Sequence, residues 1–276
     1  MMKLLRIALA LSLFITQSYA QTIKPGVGTS GTDLRPGVGA SGFVTTCSQA
    51  SDFIARTTGF SNTDKTNYDN LICGMVTDGD WANLDALYVG AAPNQTASLL
   101  NLVSTSFALS LTGSPTFTAN QGWTGGATGN YVSGVALTTL SKYIRNDASL
   151  SGWEYTDRAS TNAGLMNASG IQQISPLFTA TASVRVNGGG VTFVNTSSRG
   201  HFCGRRTTST LQEAYFNGVS QGTDATASSA VVSGVPQLPQ TNNTFKWSFF
   251  HFGNSTVDCT RVYNRLRTFA TAVGIP

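Results

Sequence analysis

Short apolar runs separated by turn residues fill most of this chain, from Tyr88 to Phe252. One run, Phe178 to Val186, alternates apolar with small polar residues, reaches a glycine-rich turn and resumes at Val191. Another continues into Asn217-Gly218, a dipeptide that indicates a tight antiparallel hairpin. Apolar residues that recur at every second position between such turns predict a mainly β chain, folded as an antiparallel β-sandwich.

The last of these runs is apolar on both faces, which predicts a strand that is covered from both sides. Alternation assigns its residues to two faces: Phe245, Trp247, Phe249 and His251 to one, Phe250 and Phe252 to the other. An amphipathic helix follows, with its apolar residues spaced by three and four: Cys259, Val262, Leu266, Phe269 and Val273. We expect Ser255 or Thr256 to cap this helix, Gly274 to end it, and its apolar stripe to lie on that strand.

The segment from Cys47 to about Leu87 predicts short helices before the strands. We expect a first helix capped by Ser48 or Ser51 and a second capped by Asn62 or Thr63. A short third helix is expected from Asp80 to Leu87.

Four cysteines, an even number, favour two disulfides in an exported chain. Three pairings satisfy that count. We favour Cys47–Cys73 and Cys203–Cys259, because each pair then lies within one predicted structural unit.

The first twenty residues have the layout of a secretory signal peptide: a positive head, an apolar run and small residues before a cleavage point. A repeated Pro-Gly-Val-Gly motif follows and predicts a flexible spacer. The expected location is secreted, periplasmic or extracellular, with no transmembrane segment after cleavage. The predicted organisation is a signal peptide (1–20), a spacer (21–45), a helical segment (46–87), a β-sandwich (88–253) and a closing helix (254–276).

The charge balance is close to neutral. The full chain carries a formal net charge of +4, and loss of Lys3 and Arg6 with the leader would leave 15 basic against 13 acidic side chains. So small an excess does not predict binding to nucleic acid or to an anionic membrane.

Several segments carry a resemblance to known proteins. The run from Thr210 to Val219, with its central Asn-Gly, resembles a hairpin of concanavalin A-like lectin/glucanase sandwiches, which include laminin G-like modules. The segments 84–88, 99–104, 249–253 and 263–274 are similar to an uncharacterised family of bacterial and phage proteins. The resemblance implies a jelly-roll sandwich with short N-terminal helices and a C-terminal helix, on a fold that hosts binders, hydrolases and structural modules.

The chain departs from the glucanases of that fold in its carboxylates. Its two glutamates, Glu154 and Glu213, lie far apart in the sequence and outside the Glu-x-Asp-x-Glu motif. We predict no catalytic residues, no metal site and no cofactor.

A ligand site is predicted from aromatic residues near glycines. Exposed Trp and Tyr rings stack on sugars, and neighbouring polar groups bond the sugar hydroxyls. The candidate residues are Trp123, Trp153, Tyr155, Asp157 and Arg158. The alternative is that Trp153 and Tyr155 are ordinary strand residues and that Trp123 closes one end of the sandwich.

The resulting hypothesis is an exported, non-catalytic, lectin-like module that binds a carbohydrate or another surface ligand. The second hypothesis is a structural, phage-derived virion or cell-surface protein that makes protein contacts. The third is an unrecognised glycoside hydrolase.

Overall fold

The computed structural model describes residues 43–125, 130–158, 164–239 and 245–276. The predicted signal peptide and the spacer up to residue 42 lie outside the described residues. The described residues belong to one compact unit, Ser41–Pro276. No helix in these ranges is both long and apolar enough to cross a membrane.

The described residues form four α-helices and fifteen strands. The helices are α1 (Ser48–Ile54), α2 (Asn62–Asp78), α3 (Gln95–Ser98) and α4 (Cys259–Ala272). The strands are β1 (Leu84–Val89), β2 (Ser110–Thr112), β3 (Thr116–Thr118), β4 (Gly122–Thr124), β5 (Tyr131–Ser133), β6 (Ala148–Glu154), β7 (Met166–Ala168), β8 (Gln172–Phe178), β9 (Thr181–Arg185), β10 (Val191–Val194), β11 (Gly200–Thr208), β12 (Leu211–Phe216), β13 (Val219–Asp224), β14 (Gln237–Leu238) and β15 (Lys246–Gly253).

The strands make two antiparallel sheets that pack face to face, so the protein is a β-sandwich with few helices. The first sheet has eight strands in the order β13-β12-β11-β6-β15-β4-β3, with β1 also paired to β15. The second has seven strands in the order β10-β9-β8-β7-β14-β5-β2. Side chains from both inner faces form the main core, among them Trp123, Leu150, Val184 and Phe250.

A second core lies on the other side of the eight-stranded sheet, where the helices pack. Phe249 contacts Phe269 of α4, with ring centroids 5.8 Å apart. Tyr68 of α2 meets the same Phe269 ring at 5.0 Å. The predicted contact between the closing helix and the strand from residue 245 to 252 is therefore confirmed.

Both favoured disulfides are present. Cys47–Cys73 ties the start of α1 to α2, and Cys203–Cys259 ties β11 to the first residue of α4. Each bridge closes a loop between elements that already pack together, so each reduces the conformational freedom of the unfolded chain.

The helix predicted from Asp80 to Leu87 is wrong. Trp81–Asn83 forms one 3-10 turn, and the chain then enters β1. All six residues of β1 are buried, because β15 pairs with it and apolar groups cover both of its faces. A strand covered on both faces shows no alternation, so its sequence cannot be told from a buried helix.

The predicted helix caps are displaced. The N-cap of α1 is Cys47. For α2 it is Ser61, in a capping box with Asp64, and for α4 it is Asp258, which accepts from the N–H groups of Thr260 and Arg261. Each predicted capping residue lies within about one turn of the observed one.

The predicted faces of β15 are also corrected. The pairing with β6 shifts register between Trp247 and Phe249, where a bulge interrupts the alternation. Trp247 consequently packs in the core between the sheets, whereas Phe249 packs beneath the helices. A single inserted residue is enough to exchange the two faces of a strand.

Candidate functional site

The outer face of the seven-stranded sheet is the broad polar surface of the sandwich. In β8, β9 and β10 the inward residues are buried, while outward residues such as Gln173, Ser183 and Thr192 are half-buried or exposed. The corresponding outer face of the eight-stranded sheet is packed against α2 and α4 around Phe249. The sandwich therefore presents one of its two outer faces to solvent in this region.

A row of polar side chains crosses this face at right angles to the strands. Its members occupy directly paired positions on six neighbouring strands, which the registers fix one pair at a time. At the usual strand spacing of about 4.8 Å, the row is about 24 Å long. We call it the polar row: Arg185, Gln173, Asn167, Gln237, Ser133 and Ser110.

One groove lies beside the arginine end of the polar row, over β8, β9 and β10. It has a volume of about 280 Å³ and is lined by hydroxyl and amide groups together with one aromatic ring. The ring belongs to Phe178, which is 50% exposed. We call this the β8–β10 groove; its lining includes Gln173, Ser175, Phe178, Thr181, Ser183, Arg185 and Thr192.

A second groove lies towards the serine end, over β5, β7 and β14. It has a volume of about 520 Å³ and includes the half-buried Tyr131 ring. Its lining is Tyr131, Ser133, Asn167, Ser169, Gly234, Val235 and Gln237. Both grooves thus combine an aromatic ring with uncharged hydrogen-bonding groups of the polar row.

Some groups of the polar row are already hydrogen bonded and others are free. Ser110 and Ser133 share a hydrogen bond of 2.7 Å, and Asn167 Oδ1 accepts from the N–H of Gly170 at 2.8 Å. Within the described ranges, the amides of Gln173 and Gln237 have no hydrogen-bond partner. These two amides can therefore donate to and accept from a ligand without losing an internal bond.

The structure separates the residues of the predicted ligand site. Trp123 is completely buried between the sheets, where it contacts Phe117 and donates from Nε1 to Ser98 Oγ at 2.9 Å. Trp153 is buried on the opposite side of the sheet, stacked on Tyr263 of α4 with ring centroids 5.8 Å apart. Neither indole presents a face to solvent, which removes the reason for choosing them.

The other three predicted residues lie at one end of the first sheet. Tyr155 is half-buried, and the Lys246 ammonium lies 5.0 Å from its ring centroid. Asp157 is exposed and accepts from Ser197 and from the backbone of Ser198, while the Arg158 backbone N–H donates to Ser198 Oγ. Asp157 therefore organises this loop, and a ligand role for these three residues stays a prediction.

The sequence missed Phe178, Tyr131 and the polar row for a physical reason. The alternation around Phe178 was visible, but it cannot tell which face of a strand meets solvent. The polar row also joins residues from 110 to 237, and only the strand pairing places them side by side. Glycine-flanked tryptophan was the signal that the sequence offered, and it marked core residues.

The two glutamates do not form a catalytic pair. Glu213 on β12 lies opposite Arg205 on β11, and Arg205 lies opposite Ser149 on β6. Because Ser149 is five residues from Glu154 along β6, the backbones of the two glutamates are roughly 19 Å apart. Glycosidases hold their two carboxyls within about 10 Å. Glu154 is fully buried, its Oε1 accepts from the N–H groups of Thr156 and Lys246, and burial raises its pKa well above the usual value.

The histidines are interior groups. His251 Nδ1 shares a hydrogen bond of 2.6 Å with Ser151 Oγ, and both residues are fully buried. His201 packs against the rings of Trp153 and Tyr263, with ring centroids 5.9 Å and 6.0 Å away. Burial lowers the pKa of each histidine to about 3. Both are neutral at ordinary pH, and the Ser151–His251 pair is shielded from a substrate.

No protein-family model matches the chain, and no curated protein sequence matches it. Among solved structures, it is similar to the botulinum neurotoxin serotype D ligand binding domain in complex with N-acetylneuraminic acid. The sequences are 9% identical, the match covers 69% of this chain and 52% of that chain, and the TM-score is 0.51. A second similar structure is the receptor binding domain of the botulinum neurotoxin C/D mosaic serotype. The sequences are 10% identical, the match covers 67% of this chain and 51% of that chain, and the TM-score is 0.50. Domain 4 of AbnA, an extracellular GH43 arabinanase from Geobacillus stearothermophilus, in complex with arabinotriose, has a TM-score of 0.48 at 12% identity, with 66% and 98% covered.

The chain spans about half the length of the two neurotoxin domains that it matches. At 9 to 10% identity, the similarity concerns the fold, which is a β-sandwich.

Proposed function

We propose that this protein is an exported, non-catalytic, lectin-like module that binds an extended carbohydrate along the polar row. The observation that carries the proposal is this row of six polar side chains, in register across six strands, on the exposed face of the sandwich. An elongated site of about 24 Å fits a chain of several sugars better than a single small molecule.

The groups along the polar row match the chemistry of a sugar chain. Amides and hydroxyls both donate and accept, as sugar hydroxyls require. The rings of Phe178 and Tyr131 offer apolar surface on which sugar rings stack. Among the residues that the structure describes, no carboxylate lines either groove, so these residues offer recognition groups and no general acid.

Two further observations favour export and a binding role. Both disulfides require an oxidising compartment, in agreement with the predicted leader. The similar serotype D domain was solved with N-acetylneuraminic acid, so a sandwich of this kind can present a sugar-binding surface.

The test compares the wild type with a Gln173→Ala, Gln237→Ala double variant. A glycan array first identifies the retained oligosaccharides, and calorimetry with the best of them then measures affinity. Each lost hydrogen bond costs about 1 kcal/mol, so we expect the affinity to fall about tenfold or more. Both amides lack internal partners in the described ranges, so the variant should keep its thermal stability.

Asn264→Ala is the matched control, because Asn264 is an exposed amide on α4, on the other side of the molecule from the polar row. It should bind like the wild type. If the wild type retains no glycan and forms oligomers, the second hypothesis, a virion or cell-surface protein that makes protein contacts, replaces this one. Polysaccharide turnover that Glu154→Gln abolishes would contradict the non-catalytic assignment.

A further inference from the structure

Among the described residues that line the two grooves, one side chain is charged, and it lies in the β8–β10 groove. That side chain is Arg185, at the end of the polar row, and the other lining groups are hydroxyls, amides, backbone and apolar side chains. A single cation makes an otherwise neutral recognition surface electrostatically asymmetric, because one end of the surface attracts anions and the other does not.

Arg185 is held in place without an acidic partner. Its Nη1 donates to the carbonyl oxygen of Gly170 at 3.1 Å. Its stem crosses the backbone of Gly190, where an added Cβ would lie 2.8 Å from Arg185 Cγ. Within the described residues, no carboxylate lies within 4.0 Å of the guanidinium. The carboxylate of Asp224, at the end of β13, accepts from the backbone N–H groups of Gly190 and Thr226.

A second, independent feature of this groove points to a ligand. Ser183 lines the groove, and its hydroxyl is buried without a hydrogen-bond partner among the described residues. A buried polar atom without a partner costs free energy unless a ligand or water satisfies it. Gln173, directly paired with Arg185, adds a free amide to the same groove.

We infer that the β8–β10 groove binds an acidic group of the glycan, a carboxylate or a sulfate ester, through Arg185, with Ser183 and Gln173 bonding the sugar that carries it. The inference rests on the proposed carbohydrate-binding function. It adds the class of ligand and the direction in which the sugar chain lies along the polar row. A guanidinium matches both anions because its N–H groups form a planar fork.

The experiment uses an array of matched acidic and neutral oligosaccharides: galacturonate oligomers beside their methyl esters for the carboxylate, and carrageenan oligomers beside their desulfated forms for the sulfate ester. We expect the wild type to retain the acidic member of a pair about tenfold more strongly than its neutral counterpart. The carboxylated and sulfated pairs distinguish the two sources of the anion. The preference should weaken as salt rises, because exposed charges are screened.

Arg185→Gln should abolish the preference, so that the acidic and neutral members of a pair are retained equally. Arg185→Lys keeps the charge without the fork and should retain part of the preference. Gly190→Ala should reduce it by displacing the Arg185 stem. Arg267→Gln removes an exposed cation from α4 and is the control, with no expected effect.

Two results would overturn the inference while the proposed function stands: equal retention of acidic and neutral partners by the wild type, or an unchanged preference in Arg185→Gln. Retention of no glycan at all would overturn both. Circular dichroism and the melting temperature of each variant verify that it is folded.

Discussion

At the scale of single residues, Arg206 is a fully buried cation held by neutral acceptors. Its guanidinium donates to four backbone carbonyls and one amide: Val186, Gly188, Ser209, Thr226 and Gln212 Oε1, at 2.7 to 3.2 Å. The carbonyls of Val186 and Gly188 lie between β9 and β10, that of Ser209 lies between β11 and β12, that of Thr226 follows β13, and Gln212 belongs to β12. Burial lowers the pKa of Arg206, and only the fork of a guanidinium reaches all five acceptors.

Arg206→Lys should therefore destabilise the protein by about 3 kcal/mol, because an ammonium leaves buried carbonyls without a donor. Guanidinium chloride unfolding measures the change. The exposed Arg267→Lys serves as the control and should shift stability by less than about 0.5 kcal/mol. A loss below 1 kcal/mol in Arg206→Lys would show that water replaces the missing donors.

At the scale of elements, two hairpins have turn residues with positive φ but use different residue types at those positions. In β12–β13, the turn residues Asn217 and Gly218 have φ values of 48° and 76°. In β8–β9, Thr179 and Ala180 have φ values of 44° and 65°. Asn and Gly suit this left-handed region, whereas a β-branched Thr is strained in it. The strained turn directly follows Phe178, the aromatic ring of the β8–β10 groove.

Replacing the strained pair by Thr179→Asn and Ala180→Gly should stabilise the protein by about 1–2 kcal/mol, because the new residues adopt positive φ readily. Chemical unfolding at fixed pH measures the gain. Thr179→Ala removes the β branch but keeps a Cβ, so its gain should be smaller. Equal stability of the double variant and the wild type would mean that the turn is not strained.

At the scale of the whole molecule, three buried ionisable groups control the dependence of stability on pH. Burial lowers the pKa of His201 and of His251 to about 3, so the unfolded chain binds more protons than the folded one as the pH falls below the ordinary value of 6.5. Burial raises the pKa of Glu154, so the unfolded chain loses its proton first as the pH rises above 4.5. Stability therefore falls in both directions.

Between pH 4.5 and 6.5 the two histidines outweigh the single glutamate, so we expect maximal stability near pH 6.5. On the acid side, each histidine removes on the order of 4 kcal/mol by pH 3. Denaturant unfolding from pH 3.5 to 9 measures the curve. His201→Phe should flatten the acid side, and Glu154→Gln the alkaline side. A wild type equally stable at pH 4.5 and 6.5 would contradict this account.

The features that depend on local chemistry are predictable from the sequence alone. Two-residue alternation and Asn-Gly turns predict the sandwich, and an apolar spacing of three and four predicts α4. The assignment of each cysteine pair to one predicted structural unit predicts both disulfides, Cys47–Cys73 and Cys203–Cys259. The first two signals each lie within a short segment, because the backbone period and the turn geometry are set by neighbouring residues, whereas the disulfides join cysteines 26 and 56 residues apart.

Which faces meet solvent depends on the packing of the whole chain. Pairing with β15 made a strand of Leu84–Val89, a bulge separated Trp247 from Phe249, and packing buried both tryptophans of the predicted site. The polar row exists because six strands from distant parts of the chain align in one register. Register and burial depend on contacts between distant segments, and no local pattern encodes them.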